Sequence, residues 1–364
     1  MFTKLISGAK NFLYFLEAKR CRKKNIIPDN ILFPVVWVTN KCNLKCKMCD
    51  QWQADPALFS EEVSAKEWFT FIDSANRMHA VAIVITGGEP LLREDIFDII
   101  KYIRNKKIAC HVCSNGTLLD KIAVGKLRES GLNSISVSLD SCYAEIHNKM
   151  RGAECFDSVI EGIKLLRRDA PGIKVGINYV ITKINFRGLY RMVYFAESLG
   201  VDQIKFDVIH TNLRHKQKPY TSFNGLVFSK DDIKLLEAEV VNLKKAISKT
   251  KLLTNSSTFI NGMLSLENEK VPSPLCYAGY ISCAIDAFGW VSPCDNLDGK
   301  ENLKDTPFEK IWSSESFQEL RQSVNNCKSK CWDTTHAELN IRCSNLGFLK
   351  ELSQIYKETG FYLG

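Results

Sequence analysis

Three cysteines stand close together just after the first apolar run of the chain. Cys42, Cys46 and Cys49 are separated by three residues and then by two, in the stretch CNLKCKMC. Three thiolates can bind three irons of a [4Fe-4S] cluster, which leaves the fourth iron open to a small bidentate ligand. A structural zinc ion takes four protein ligands, usually from two separated Cys or His pairs. This loop therefore favours an iron–sulfur cluster with one open iron.

A glycine-rich turn follows the second apolar run. Its sequence, TGGEP, spans residues 86–90. Glycines let the backbone approach a ligand closely, and the carboxylate of Glu89 can accept hydrogen bonds from an ammonium group. Such a turn is common by itself. Its position directly after a strand, and after the cysteine loop, makes it more specific.

Together these motifs resemble the radical S-adenosylmethionine (radical SAM) superfamily over roughly residues 33 to 209. The resemblance implies that the three cysteines of the loop bind a catalytic [4Fe-4S] cluster. It also implies that this cluster cleaves S-adenosylmethionine reductively to a 5′-deoxyadenosyl radical, which abstracts a substrate hydrogen. The superfamily places an apolar residue near the adenine of the cofactor, and Met48 matches that position.

Further cofactor contacts follow from the same resemblance. Gly87, Gly88 and Glu89 match the motif that binds the amino group of the methionine moiety. Positions that contact the ribose and the methionine carboxylate correspond to Asn115, Ser138 and Asp140, and Arg151 matches an arginine that pairs with that carboxylate. All of them fall at carboxyl ends of predicted parallel strands, where barrels build their sites.

Three other cysteines lie in the same half of the chain. Cys142 follows Asp140 at the expected mouth of the site, so it is a candidate to donate a hydrogen atom to a substrate radical. The alternative is that its thiol packs as a small hydrophobic group. Cys110 and Cys113 lie three residues apart on one predicted strand and point to opposite faces. We expect both of them in the core.

The carboxyl-terminal region carries a second set of cysteines. Cys276 is followed by Gly289 and Cys294, and later by Cys327, Cys331 and Cys343. This order resembles the first part of the SPASM domain, or its shorter "twitch" form, which carries auxiliary [4Fe-4S] clusters. The match is partial, because the second half of the family pattern has more cysteines. Two fully protein-ligated clusters need eight ligands, so we predict one auxiliary [4Fe-4S] cluster.

Four of these cysteines are the expected ligands. Cys283 alternates with Ile281 and Ile285, so it belongs to a buried strand face. A tight turn over residues 286–290 predicts a hairpin that brings its flanks together. The predicted ligands are therefore Cys276, Cys294, Cys327 and Cys331. A structural zinc ion remains the alternative, because four thiolates also suit zinc.

The elements that position these residues can be read from periodicity. Short apolar runs alternate with helical patterns, which is typical of βαβ units with a parallel sheet. The six predicted strands are Pro34–Thr39, Val81–Thr86, Ile108–Ser114, Ser134–Asp140, Ile173–Ile181 and Ile204–Ile209. We predict an α/β fold, with a partial (β/α)6 TIM-like barrel open at one side and a small C-terminal α+β iron–sulfur domain.

The predicted organisation has five segments. They are an amphipathic helix with a basic segment (1–32), the radical SAM partial barrel (33–225), a linker helix (226–270), the SPASM/twitch-like domain (271–350) and a C-terminal tail (351–364). In residues 1–24 apolar side chains recur at helical spacing before a basic run. We expect this helix to pack across the main domain, with contact to a membrane surface as the alternative.

Composition narrows the cellular setting. The chain has 364 residues, 14 cysteines and a formal net charge of +8. No signal peptide opens it, so reduced thiols and a cytoplasmic location are expected. No apolar run of about 20 residues is present, which argues against a transmembrane span. A charge of this size is common on ordinary proteins, and we expect no nucleic-acid partner.

Two substrate classes fit these features, a small metabolite and a ribosomally made peptide. Only about thirty residues precede the first strand, fewer than most domains need. A peptide maturase of this kind would therefore rely on a separate leader-binding protein. We expect a flavodoxin- or ferredoxin-type electron donor. A non-catalytic iron–sulfur electron carrier is the rival hypothesis, although a carrier needs no cofactor pocket.

Overall fold

A computed structural model describes residues 2–209, 225–265, 275–329, 331–344 and 352–363, and the side chains from residue 13 onward. Residues 210–224, at the end of the segment assigned to the partial barrel, lie outside the described residues. None of the described helices combines the length and apolar character that crossing a bilayer requires.

Six parallel strands form the centre of the molecule, each hydrogen-bonded to the next in chain order. Their bounds agree with the sequence prediction to within two residues. They are β1 Phe33–Trp37, β2 Ala82–Thr86, β3 Ala109–Ser114, β4 Ser134–Ser138, β5 Lys174–Ile181 and β6 Gln203–Val208. The predicted α/β partial barrel is confirmed.

Helices cover the outer face of this sheet. Their apolar faces pack against the strands because apolar residues recur every three or four positions. Ser64 and Glu67 form a capping box at the start of the first of them. The barrel helices are α2 Ala65–Arg77, α3 Ile96–Asn105, α4 Lys121–Glu129, α5 Ala144–Arg151, α6 Phe156–Asp169 and α7 Leu189–Ser198. They are followed by α8 Lys230–Ile247 and α9 Ser257–Gly262.

The carboxyl-terminal hairpin continues the barrel sheet. Strand β7 (Ser282–Ile285) pairs in parallel with β1, and β8 (Trp290–Ser292) and β9 (Glu301–Asn302) follow in antiparallel order. The pairing satisfies backbone groups that an unpaired edge of β1 would expose. The predicted C-terminal domain therefore shares the barrel's sheet and adds the helices α10 Phe308–Ser313, α11 Glu315–Asn325 and α12 His336–Cys343.

The amino-terminal helix α1 (Phe2–Lys24) packs on this C-terminal region. Its buried residues Phe15, Ala18 and Cys21 form one apolar cluster with Tyr277 and Tyr280, among others. In the half whose side chains are described, these three residues are covered by protein, whereas Leu13 and Leu16 remain exposed.

The last residues form a helix, Leu352–Tyr362, where we predicted only a tail. Phe361 is 3% exposed, and its ring lies 6.0 Å from that of His111 on β3. The Phe361 ring also packs 3.1 Å from the Cβ position of Gly176, near the start of β5. This C-terminal helix closes the amino-terminal end of the barrel, opposite the cysteine loop.

Candidate active site

The glycine turn after β2 holds the start of the cysteine loop. The backbone N–H of Gly88 donates to the carbonyl of Thr39 at 2.8 Å, and that of Glu89 donates to Lys41 at 2.7 Å. A Cβ on Gly88 would lie 2.1 Å from the Lys41 oxygen, and one on Gly87 would lie 2.4 Å from that of Thr39. Both glycines are therefore required by the close approach of two backbones.

Glu89 is wholly buried, and its carboxylate is used inside the protein. It accepts hydrogen bonds from the Ser114 hydroxyl at 2.8 Å and from the backbone N–H groups of Asn115 at 2.6 Å and Leu91 at 3.1 Å. The Asn115 amide in turn donates to Asn43 in the cysteine loop at 2.8 Å. Glu89 and Asn115 thus tie the ends of β2 and β3 to the loop, and the contact of both with the cofactor stays a prediction.

The cysteine loop turns its three thiols toward one apolar cluster that includes Leu44 and Met48. Burial raises the pKa of Cys49 to about 12, and the neighbouring Cys46 and Cys42 add to the increase. The three thiols are therefore close enough to act on one another. Three convergent soft donors beside an open cavity fit an iron–sulfur cluster with one free position.

Arg151 lies beside this loop, as the resemblance implied. The side chain is 8% exposed, and its Nη1 lies 3.8 Å from the sulfur of Cys46. Its Nη2 forms a 2.7 Å ion pair with Asp140, whose other oxygen accepts from the Val180 N–H at 3.0 Å. Asp140 therefore positions Arg151, and its contact with the cofactor stays a prediction.

A histidine and a cysteine that we did not predict lie behind Arg151. The Nδ1 atom of His147 accepts the backbone N–H of Asp140 at 3.2 Å, so its proton resides on Nε2. Nε2 faces the sulfur of Cys155 at 3.5 Å, and Cys155 packs on Leu44 and Cys46. No local motif marks this pair, because the two residues meet only through the packing of α5 on α6.

A cavity of about 440 Å³ fills the barrel between the cysteine loop and the C-terminal helix. Of the predicted site residues, those that line it are Cys46, Met48, Cys49, Ser138 and Arg151. Those absent from its lining are Cys42, Gly87, Gly88, Glu89, Asn115, Asp140 and Cys142. Some of the residues predicted to bind the cofactor thus face the cavity, and the others lie outside its lining.

The two cysteines of β3 have different surroundings, and one of them faces the cavity. Cys113 lines the cavity 3.9 Å from the Nδ2 atom of Asn178, whereas Cys110 is buried on the opposite face. The expectation of two core thiols is therefore wrong for Cys113. Cys142, our candidate hydrogen donor, packs against the outer apolar core.

Charged groups that we did not predict line the far half of the cavity. Burial, together with the charge of Asp333, raises the pKa of Asp207 to about 7, and burial lowers that of Lys205 to about 8. Lys205 forms a 2.5 Å ion pair with Glu358 of the C-terminal helix, which also pairs with Arg342. Two charges at alternate positions of an otherwise apolar strand are a signal that sequence reasoning missed.

The four predicted auxiliary ligands are brought together by the C-terminal region. Burial raises the pKa of Cys331 to about 12, and Cys276 and Cys327 contribute to the increase. Burial also raises the pKa of Cys294, with Cys276 and Cys331 contributing. Cys331 thus neighbours the other three cysteines, an arrangement compatible with a fully ligated cluster. In the described part of the chain, no three Cys, His, Asp or Glu side chains are arranged to hold a single metal ion.

Side chains from other parts of the chain form contacts with two of these cysteines. Arg22 of α1 donates from Nε to the carbonyl of Cys276 at 2.7 Å, and the Asn296 amide lies 3.6 Å from the Cys331 sulfur. Cys283 is 2% exposed in the barrel core, as its alternation predicted. Cys343 is buried in the cluster that packs on α1.

Comparison with known proteins identifies both regions. Residues 36–192 match the family model of the radical SAM superfamily, and residues 276–333 match the SPASM model, described as an iron–sulfur cluster-binding domain. Together the two matches cover more than half of the chain.

The chain also resembles characterised proteins along most of its length. It is 26% identical to an AdoMet-dependent heme synthase of Oleidesulfovibrio alaskensis, over 89% of this chain and 85% of the relative. It is 27% identical to the mycofactocin maturase MftC of Mycolicibacterium smegmatis, over 80% of this chain and 73% of the relative.

The crystal structure of Streptococcus suis SuiB bound to S-adenosylmethionine shares the fold, with a TM-score of 0.66 and 18% identity. The alignment covers 89% of this chain and 76% of SuiB. The family implies a catalytic [4Fe-4S] cluster, S-adenosylmethionine and auxiliary iron–sulfur clusters. The chain therefore belongs to the radical SAM superfamily: it is an enzyme that cleaves S-adenosylmethionine reductively and carries a C-terminal SPASM domain.

Proposed function

We propose that this enzyme oxidises one side group of a substrate, which enters the barrel cavity between the cofactor end and the auxiliary site. The observation that carries the proposal is the position of Asp207. Its carboxylate lines the cavity, and it accepts hydrogen bonds from the backbone N–H of Thr334 at 2.7 Å and from the Thr334 hydroxyl at 3.2 Å. Thr334 comes three residues after the auxiliary ligand Cys331.

The proposed oxidation removes two hydrogens from the substrate. The bound cluster and S-adenosylmethionine supply the radical that takes the first hydrogen atom. The substrate radical then loses a proton and an electron, so that a C–C, C–O or C–N single bond becomes a double bond. Asp207 accepts the proton, and the electron leaves toward the auxiliary iron–sulfur cluster, which is thereby reduced.

The surroundings of Asp207 suit a proton acceptor. The residue is half-buried, and it lines the cavity. With a pKa of about 7, the carboxylate is available as a base at neutral pH and holds a proton well enough to drive the transfer. Lys205, on the same strand face, forms an ion pair with Glu358, so the two opposite charges at this end of the cavity offset each other.

Our first candidate for the substrate is a metabolite that is larger than the cavity. The heme synthase matches this chain almost end to end, which favours a tetrapyrrole-type metabolite. A volume of about 440 Å³ suits the reacting end of the cofactor and one side group, so the bulk of the substrate would remain outside. The mycofactocin maturase supports a peptide as the second candidate, with a separate leader-binding protein.

We further propose a flavodoxin- or ferredoxin-type protein as the electron donor. Each cleavage of S-adenosylmethionine consumes one electron of low potential, so an electron donor must bind close enough to reduce the catalytic cluster. None of the described cysteines forms a disulfide, which is consistent with an enzyme that acts in the reducing cytoplasm. The four clustered C-terminal cysteines support one auxiliary [4Fe-4S] cluster.

The substrate can be tested by mass spectrometry. The anaerobic holoenzyme is offered S-adenosylmethionine, a reductant, and either an iron porphyrin with propionate groups or a precursor peptide encoded beside the gene. We expect 5′-deoxyadenosine and a product lighter by two hydrogens. A product that has lost a carboxyl group instead would show that carbon dioxide, not a proton, leaves the substrate radical.

The proton acceptor can be tested with Asp207→Asn, with Asp231→Asn on the exposed start of α8 as the matched control. We expect product formation to fall by about 10²-fold or more while 5′-deoxyadenosine still forms, since general bases contribute about 10² to 10⁴. The pKa of Asp207 is raised to about 7, so the basic form accumulates only as the pH rises through that value. Wild-type product formation should rise with pH accordingly. An unchanged product yield in Asp207→Asn contradicts the assignment.

A further inference from the structure

We propose that the outer face of the cysteine loop is the docking surface for a small acidic one-electron carrier. This donor face consists of Lys41, Lys45, Lys47, Lys149 and Trp52. The inference rests on the proposed electron donor and extends it to a particular surface and partner charge.

The loop alternates cationic and metal-ligating residues. Lys41, Lys45 and Lys47 are exposed, whereas Cys46 is buried and Cys42 is half-buried. Because neighbouring side chains point to opposite sides, the same backbone that directs thiols inward directs amines into solvent. The positive charges therefore lie directly over the residues that hold the catalytic cluster.

An aromatic side chain connects this surface to a cluster ligand. The indole N–H of Trp52 donates to the carbonyl of Cys49 at 2.9 Å, yet the residue is 38% exposed. The Lys45 ammonium lies 5.8 Å from the centre of that ring, and the Lys41 ammonium lies 5.5 Å from the ring of Phe59. The face thus combines cations, which attract an acidic partner, with exposed aromatic surface, which is enriched at protein interfaces.

The end of α5 adds a fourth cation to the same surface. The backbone N–H of Lys47 donates to the carbonyl of Met150 at 2.9 Å. A Cβ on Gly152 would lie 2.4 Å from the carbonyl of Lys45, so the helix end lies tightly against the loop. Lys149, one residue before Met150, is exposed beside it.

None of the four amines forms an ion pair with another described residue. In the described part of the chain, the ion pairs involve other lysines and arginines, such as Lys106 with Asp73, Lys183 with Asp232 and Lys300 with Glu319. The donor face therefore gathers four lysines that form no ion pair within the described residues, and it is not merely part of the chain's net charge of +8.

A small acidic carrier fits this face for two physical reasons. Electron-transfer complexes bury small interfaces and dissociate quickly, so they depend on electrostatic attraction more than on apolar area. Complementary charge raises the association rate by about 10- to 10³-fold, and salt screens it within a Debye length of about 10 Å. Docking here brings the carrier to Trp52, in contact with a cluster-ligating residue.

The test reverses three charges of the face. Lys45→Glu, Lys47→Glu and Lys149→Glu are combined in one variant, and Lys101→Glu, Lys244→Glu and Lys245→Glu form the control with the same change in net charge. Both holoenzymes are first matched for iron content. Cluster reduction is then followed by stopped-flow absorbance with reduced flavodoxin or ferredoxin, and separately with photoreduced deazaflavin, a small uncharged reductant. Calorimetry measures the binding of oxidised flavodoxin.

We expect the donor-face variant to be reduced by the protein carrier at least about tenfold more slowly than the control at low salt. The difference should shrink as salt rises, flavodoxin binding should weaken, and reduction by deazaflavin should be equal in both. Equal rates and binding in the two variants would overturn the donor face alone. A wild-type enzyme that deazaflavin reduces, but neither protein carrier does, would overturn the donor class.

Discussion

The carboxylate of Glu89 offers the sharpest test of how this site is built, because sequence and structure assign it different tasks. The motif predicts contact with the cofactor, whereas the structure shows three internal hydrogen bonds, to Ser114, Asn115 and Leu91. Glu89→Ala would leave two buried backbone N–H groups without an acceptor, each worth about 1 to 3 kcal/mol. Adding the lost hydroxyl contact and the void, we expect a loss of roughly 3 to 5 kcal/mol in the free energy of unfolding.

The assay is urea unfolding of the cluster-free chain under anaerobic, reducing conditions, where no cofactor contributes. Glu94→Ala, on an exposed residue of the same segment, is the control and should change stability by less than about 0.5 kcal/mol. Because the Glu89 carboxylate holds Asn115, whose side-chain amide donates to Asn43 of the cysteine loop, iron incorporation should fall together with stability. If Glu89→Ala unfolds like wild type and only weakens the calorimetric binding of S-adenosylmethionine, the positioning argument is refuted.

Further variants test the iron sites and the barrel floor. Replacing the three cysteines of the catalytic loop with alanine should abolish 5′-deoxyadenosine and lower the iron content from about eight to about four per chain; a wild-type count near four with bound zinc contradicts the auxiliary assignment. Cys283→Ala should keep the full iron count because the thiol lies in the core, whereas Cys294→Ala should lower it, and equal counts would be inconsistent with this ligand set. Glu358→Ala leaves Lys205 buried without its closest carboxylate, so we expect the free energy of unfolding to fall by about 3 to 5 kcal/mol in denaturant unfolding. The exposed Lys357→Ala is the control and should change it little. Similar unfolding midpoints for the two variants would disprove the contribution of the ion pair.

Local patterns predicted the elements well because their causes are local. Period-two and helical apolar spacing decides where strands and helices form, so six strands could be placed to within two residues. The glycines at 87 and 88 were expected to bring a backbone close to a ligand. The structure supplies the second backbone, that of Thr39 and Lys41, which no spacing rule could name.

Partner choice, by contrast, depends on which distant segments meet. The C-terminal hairpin pairs with β1 because that edge needs hydrogen-bonding partners, yet any exposed edge offers the same groups. Likewise, the final helix closes the barrel because Glu358 meets Lys205, 153 residues earlier in the chain. A pattern of neighbours in sequence contains no information on contacts at such separations.

The sequence by itself determined the chemistry of this protein: three cysteines at a fixed spacing after a strand, the turn that follows the next strand, and a second cysteine set near the end. Each of these signals lies within a short stretch of chain, so it can be recognised without knowledge of the tertiary structure. The tertiary structure decided which side chains face the cavity. It turned Cys113 inward and Cys142 outward, enclosed Glu89, and placed Asp207 against the SPASM region. Orientation of this kind is set by packing between separate layers, where burial and pairing energies, rather than local propensity, select one arrangement.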